Sequence, residues 1–297
     1  MRRFFRHDVN LIIVALIWGG NYSITKLALA HVSPVTFGGL RFALSTALLW
    51  LAVWLLRQHA TITRTTTLKL LGLGVVGHTL NQLCFLSGLK LTTATNSAVI
   101  FANLPLVVAL LGMVLGTERP RPRVWAAIAL GVTGVVVVVG AKGFHFSGET
   151  LRGDLLNVGG LIFWALFTVG VRQAAHGVNS VQATALTHLG GTPGLLALAA
   201  PSLVQGPSVF EFPSAVWTAL LYSSVLSSVV AAVLWTRSLK ALGGSRTAVY
   251  NCVTPIFASL AAWALLGERP VPMQAVGAGL VIVAVLLSRA PAEEVES

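Results

Sequence analysis

The residues in this chain that could do chemistry are polar and aromatic side chains set inside apolar runs. Trp18, Tyr22 and Thr25 recur at helical spacing with Asn21 beside them, and His78, Asn81, Gln82 and Phe85 repeat the pattern further on. Asn96 and Asn103 follow, then Trp164 and Thr168, a serine stripe at Ser223, Ser224, Ser227 and Ser228, and Tyr250 with Asn251. A polar group in a membrane-crossing run is costly, so each is a candidate for function. Aromatic faces can hold an apolar body while amides and hydroxyls orient a polar head, which suits a neutral or zwitterionic solute. Arg41 adds a cation, to pair with a solute carboxylate or a gate carbonyl, or to snorkel to the headgroups. Lys26, nearer the end of its run, reads as a snorkelling residue, and His188 beside Gly190 and Gly191 reads equally as packing or site.

No Asp or Glu lies in the middle of any apolar run: Asp8, Glu118, Asp154 and Glu268 all fall at the ends. The usual carboxylate relay for protons or sodium is therefore missing, which leaves His78 and His188 as proton carriers, or no coupling. There is no phosphate loop, zinc-spaced His/Cys set or nucleophile–base–acid triad, so the sequence implies no cofactor, no metal and no enzyme. Cys84 and Cys252 read as small buried hydrophobes.

The elements that must position these residues are membrane helices. Of 297 residues, 55% are hydrophobic and only 10% charged, against roughly 25% charged in soluble domains. The net charge of +11 sits in short clusters between apolar runs, which argues for topology determinants over nucleic-acid binding. Spans are expected near 9–29, 34–56, 68–88, 93–115, 123–141, 154–172, 179–201, 214–236, 244–266 and 272–288. The first, despite Arg2, Arg3 and Arg6 ahead of it, is too polar between Gly19 and Lys26 for a cleaved signal peptide. Lys and Arg fall fourteen to four in favour of the side that holds the N-terminus, which places both termini in the cytoplasm.

The chain also repeats itself at a shift of 150 residues: Leu89/Leu239, Lys90/Lys240, Ala98/Ala248, Pro105/Pro255, Glu118/Glu268, Arg119/Arg269 and Pro120/Pro270 are identical. Each copy is an apolar span broken by one proline and stopped by Glu-Arg-Pro. Five spans per half is odd, so the second half must lie inverted, the arrangement of many secondary transporters. The expected fold is all-α, ten transmembrane helices in two inverted five-helix repeats, 1–143 and 144–297. Pro105 and Pro255 read as gating hinges, and Glu118 and Glu268 as the tips they swing.

Trp18-Gly19-Gly20-Asn21-Tyr22, Lys26, Pro34 and Arg41 resemble the opening of EamA-type proteins of the drug/metabolite transporter superfamily. Thr92-Thr93-Ala94 through Pro105 to Glu118, and its echo through Ala248, Pro255 and Glu268, fit the same family. The resemblance covers nearly the whole chain. It implies alternating-access export of small metabolites from the cytoplasm across the inner membrane; the family's YddG-like members are amino-acid exporters. The implied substrate is an amino acid, aromatic or otherwise neutral. The alternatives are nucleotide-sugars or other polar metabolites or, in another class, an embedded enzyme acting on lipid-linked substrates. The implied solute-binding set is Trp18, Asn21, Tyr22, Arg41, His78, Asn81, Gln82, Trp164 and Thr168. The expected partners are the solute and the lipid bilayer, with a monomer as the simplest assembly. The second half departs from the pattern, with Ala165 after Trp164 and no arginine opposite Arg41, so the halves are expected to contribute unequally.

Overall fold

The computed structural model describes residues 2–58, 61–140, 148–206, 208–266 and 272–289, and these are helical with short connections. In chain order the helical stretches are α1 (Arg2–Ala28), α2 (Pro34–Leu55), α3 (Arg64–Leu91), α4 (94–114), α5 (Pro122–Gly140), α6 (Gly148–Ala174), α7 (Ser180–Gln205), α8 (Ser214–Leu242), α9 (244–266) and α10 (Pro272–Arg289). Among the described residues, six helices are long and apolar enough to cross a membrane: Arg6–Ala28, Pro34–Leu55, Arg64–Leu91, Thr150–Ala174, Ser214–Leu242 and Gly244–Leu265. Leu104–Val114, Pro122–Val137 and Val276–Ser288 are shorter apolar helices. Helix α7 is long enough at 26 residues but richer in Thr, Gln and His.

Local signals set the boundaries. Ser33 caps α2 through the Thr36 amide and Pro34 occupies the first turn, where its missing N–H costs nothing. Thr63 caps α3 and Asn179 caps α7 in the same way. Helix α8 ends at Gly243, whose φ of 89° other residues rarely adopt.

Four of these rods are irregular, and the irregularities match between halves. Helix α3 passes through a π-helical segment at Val75–Leu80, and α8 does so at Tyr222–Ala231, which spans the positions 150 residues later. Helix α4 breaks at Asn103, just before Pro105, and α9 has a 3₁₀ turn at Tyr250–Val253, just before Pro255. The cause is the same in both: a proline ring clashes with the carbonyl four residues earlier, here Phe101 and Asn251. The Phe101 carbonyl is re-satisfied by the Asn251 amide at 2.6 Å, so α4 and α9 cross at their breaks.

Small residues bring the rods together. A methyl group on Gly74 would lie 2.0 Å from the Thr187 carbonyl, and one on Gly190 would lie 2.1 Å from that of Leu71, so α3 and α7 touch backbone to backbone. Gly134 packs on Gly277 and Val281 less closely, at 2.8–2.9 Å from such a methyl, and joins α5 to α10. Gly279, on the same helix as Gly277, faces open space.

Candidate functional site

Faces of α1, α2, α3, α4, α6, α7, α8 and α9 converge on one central cavity of about 80 Å³, several times the roughly 10–15 Å³ that a single water occupies on this measure. Its walls include Trp18, Asn21, Tyr22, Arg41, His78, Asn81, Gln82 and Trp164, which the sequence singles out, together with Phe42, Phe85, Phe101, His188, Ser227, Ser228, Ala232 and Asn251. Thr168 is not among them. Its short side chain bonds back to the Trp164 carbonyl at 2.8 Å, and Phe167 fills the space beneath Trp164 and His78.

Arg41 is the centre of the polar wall. It is 5% exposed, so it does not snorkel. Its Nε donates to the Ser228 hydroxyl at 2.9 Å, Nη2 to Ser227 at 3.2 Å and Nη1 to the Gln82 carbonyl at 3.3 Å. All three acceptors are neutral. Glu118 pairs elsewhere, with Arg172, and the cavity wall holds no Asp or Glu, so Arg41 holds its charge inside the bundle without a carboxylate beside it. Lys26 does not snorkel either: its ammonium caps the end of α3, on the carbonyls of Leu89 at 2.7 Å, Thr92 at 2.5 Å and Lys90 at 3.1 Å.

Beside Arg41 the two histidine rings lie 4.2 Å apart between centroids, with Phe42 stacked on His188. His188 Nδ1 lies 3.0 Å from the Thr184 carbonyl, which can only accept, so Nδ1 carries the proton and Nε2 is an acceptor. His78 Nε2 is 3.2 Å from the Thr187 hydroxyl. Trp164, whose ring centroid lies 6.4 Å from that of His78, forms a triangle with Trp18 and Trp235, with ring centroids 5.1–6.3 Å apart. Among the described residues no group of three His, Cys, Asp or Glu could hold a metal ion.

Three pairs of wall residues are 150 positions apart: His78/Ser228, Gln82/Ala232 and Phe101/Asn251. Contacts at this separation also run from Thr192 to the Phe42 carbonyl and from Cys252 to that of Ala102. The same backbone positions of the two halves therefore face one another across the cavity, carrying different chemistry.

Glu118 sits away from the cavity in a network of its own. Its carboxylate accepts from the Gly244 amide at 2.6 Å, the Ser245 amide at 3.0 Å and the Ser245 hydroxyl at 2.5 Å, and it pairs with Arg172. It thus caps the N-terminus of α9 from the end of α4 and ties both to α6. Glu268 lies outside the described residues.

Sequence reasoning missed Phe42, Phe101, Ala232 and Trp235. All are apolar in an apolar chain and give no signal of their own; Phe42 could have been suspected only from its place next to Arg41. His188, Ser227, Ser228 and Asn251 are visible in the sequence as intramembrane polar groups, without a means of choosing them over packing.

The repeated architecture and the converging polar faces have counterparts in known proteins. A model of the EamA-like transporter family matches residues 6–140 and again 151–290. The chain belongs to this family. It is 33% identical over 282 residues to an uncharacterized transporter of Archaeoglobus fulgidus, covering 94% of this chain and 96% of that one. It is 25% identical to the uncharacterized transporter YyaM of Bacillus subtilis (94% and 92% covered) and to the uncharacterized inner membrane transporter YedA of Escherichia coli K12 (93% and 88%). One crystal structure superposes with a TM-score of 0.77 over 95% of this chain and 98% of the other, at 21% identity, a likeness of fold alone. The protein is a multi-pass membrane transporter of the EamA type, and its family and these relatives are named as transporters.

Proposed function

We propose that this transporter exports a small metabolite, an amino acid or a close relative, by alternating access, and that the cavity around Arg41 is where the solute binds. The observation that carries the reading is a buried guanidinium without a carboxylate partner, in a cavity walled by aromatic rings from both halves of the chain. An uncompensated buried cation is costly and calls for an anion from outside. The cavity is well below the roughly 300–1,000 Å³ of an open small-molecule pocket, which fits a contracted state around a small solute better than a nucleotide-sugar site.

In this reading the chain crosses the membrane ten times, the halves are inverted, and both termini are cytoplasmic. Contacts between residues 150 apart support an approximate two-fold axis through the cavity, and the inversion would put that axis in the membrane plane. The end of the bundle near Arg6, Arg172 and Arg237 then faces the cytoplasm, and two devices hold that end closed: the tryptophan triangle and the Glu118 network. Opening requires the Glu118 end of α4 to leave Arg172 and Ser245, and the break before Pro105 is a hinge about which it can swing. Pro255 is the matching hinge of the other half.

Counterflow of labelled amino acids in proteoliposomes tests the function. Exchange of at least one neutral amino acid is expected, and Trp18→Ala or Trp164→Ala should abolish it while expression persists. Normal exchange in both variants would remove the cavity from the transport path.

A further inference from the structure

We infer that the cavity recognises its solute by the carboxylate alone and has no station for an ammonium, so the substrates are apolar monocarboxylates, with or without an amino group. The inference rests on the reading of the cavity as the solute site and adds what the solute must carry.

The argument is a count of unused hydrogen-bonding capacity. A guanidinium has five N–H groups, and three are engaged with Ser227, Ser228 and Gln82. Two remain, one on each terminal nitrogen, the fork that a carboxylate fits. The Trp164 indole N–H, the Tyr22 hydroxyl and the Asn21 amide N–H₂ also hold no protein partner among the described residues while lining the same space. The amide carbonyls of the wall each hold one partner already, and none carries a charge. The Asn21 carbonyl takes the Ser223 hydroxyl at 2.6 Å, that of Asn81 takes Gln82 at 3.0 Å, that of Gln82 takes Arg41, and that of Asn251 takes Thr254 at 3.4 Å. The wall contains no Asp or Glu. Each amide oxygen keeps a second lone pair, as do the hydroxyl oxygens of Tyr22, Ser227 and Ser228, but all are neutral. His188 Nε2, without a partner, is buried against the rings of Phe42 and His78.

A carboxylate entering here meets free donors and a net positive charge. An ammonium meets neutral acceptors only, the same positive charge and the faces of Trp18 and Trp164. The aromatic walls suit an apolar body on the carboxylate.

The test uses matched probes on the full-length protein in detergent, with tryptophan fluorescence as the binding signal: phenylalanine, 3-phenylpropionate, phenylalaninamide and phenethylamine, and the corresponding leucine series. Phenylpropionate should bind within about threefold of phenylalanine, and the amide and amine at least tenfold more weakly. Arg41→Gln should cut carboxylate binding roughly 10- to 100-fold, the range for charge-assisted hydrogen bonds, with Arg41→Lys between. Amines binding as well as carboxylates would overturn the inference while leaving the cavity as the solute site. Carboxylate binding unaffected by Arg41→Gln, Arg41→Lys and Trp164→Ala alike would overturn the reading of the cavity itself. Binding of no probe in either series would overturn both.

Discussion

If Arg41 is held for a solute and not for the fold, removing its charge should leave the empty protein as stable as before, or more so. The structure gives the terms. The guanidinium makes three hydrogen bonds to neutral oxygens, at 2.9, 3.2 and 3.3 Å. Bonds to a charged group contribute about 1.5–3 kcal/mol each, and the longer two belong at the low end. Against them stands the removal of an unpaired cation from water, several kcal/mol even after relaxation. The balance is near zero, and Arg41→Gln removes the penalty while its amide can keep one of the bonds. The expected change is an unaltered or raised melting temperature, by about 2–4 °C for each kcal/mol gained.

Ser228→Ala does the reverse: it leaves the charge and deletes its shortest acceptor, which should cost about 1–3 kcal/mol and lower the melting temperature. Differential scanning fluorimetry of both variants, empty and with solute, reads this. Solute at a hundredfold its wild-type dissociation constant should stabilise the wild type by about 2.7 kcal/mol and Arg41→Gln by only about 0.4–1.4 kcal/mol, given a 10- to 100-fold loss of affinity. A fall of more than about 5 °C in empty Arg41→Gln, equal to or beyond that of Ser228→Ala, would show that Arg41 is a structural tie between α2, α3 and α8, and the reasoning would fail.

Glu118→Gln removes the Arg172 pair and weakens the cap on α9, a loss of about 0.5–2 kcal/mol; a cysteine at Ser245 should become more reactive to a membrane-impermeant maleimide, and unchanged labelling would argue against a closed tie at that end. Gly190→Ala should separate α7 from α3, because the added methyl would lie 2.1 Å from the Leu71 carbonyl carbon–oxygen group; thermal stability and yield should both fall, whereas Gly279→Ala, facing open space, should change neither. Counterflow should proceed without a sodium gradient, and a His78→Ala, His188→Ala double variant should not concentrate solute when a proton gradient is imposed, since the cavity wall offers no carboxylate as a second carrier; several-fold uphill uptake by that variant would refute the absence of a relay.

Much of the site is legible in the sequence because polarity inside an apolar run is rare and expensive. Trp18, Asn21 and Tyr22 lie on one turn of α1, and His78, Asn81 and Gln82 on one stretch of α3, so helical spacing alone groups them. Spacing fails where side-chain length and neighbours decide. Thr168 stands one turn from Trp164 and yet turns back on its own helix. The serines of α8 read as a packing stripe, but they divide: Ser223 holds Asn21, Ser224 bonds the Arg41 backbone, and Ser227 and Ser228 hold the guanidinium. A π-helical register from Tyr222 to Ala231 sets their direction, and a 3.6-residue period cannot foresee it. Arg41 and Lys26 show the same limit, since one long cationic side chain can reach headgroups, carbonyls or a cavity, and only the neighbours choose.

The repeat carries more than the identical residues suggest. The identities include Pro105/Pro255 and the Glu-Arg-Pro stops, while the facing wall positions differ: His78 opposes Ser228, Gln82 opposes Ala232, Phe101 opposes Asn251, and the counterpart of Arg41 is Gly191. That glycine has a use. A methyl there would lie 2.5 Å from His78 Cβ and 2.6 Å from the Gly74 carbonyl, so the second half gives up a side chain where the first half places a histidine. Ser228, the counterpart of His78, in turn holds Arg41 at 2.9 Å. The shared backbone supplies breaks in matched places, which a mechanism that moves two halves in opposite senses needs. The unshared side chains put one positive charge off the axis, on Arg41 of the first half, where Ser227 and Ser228 of the second half hold it. On the proposed reading, selectivity belongs to the differences between the halves, and movement to what they have in common.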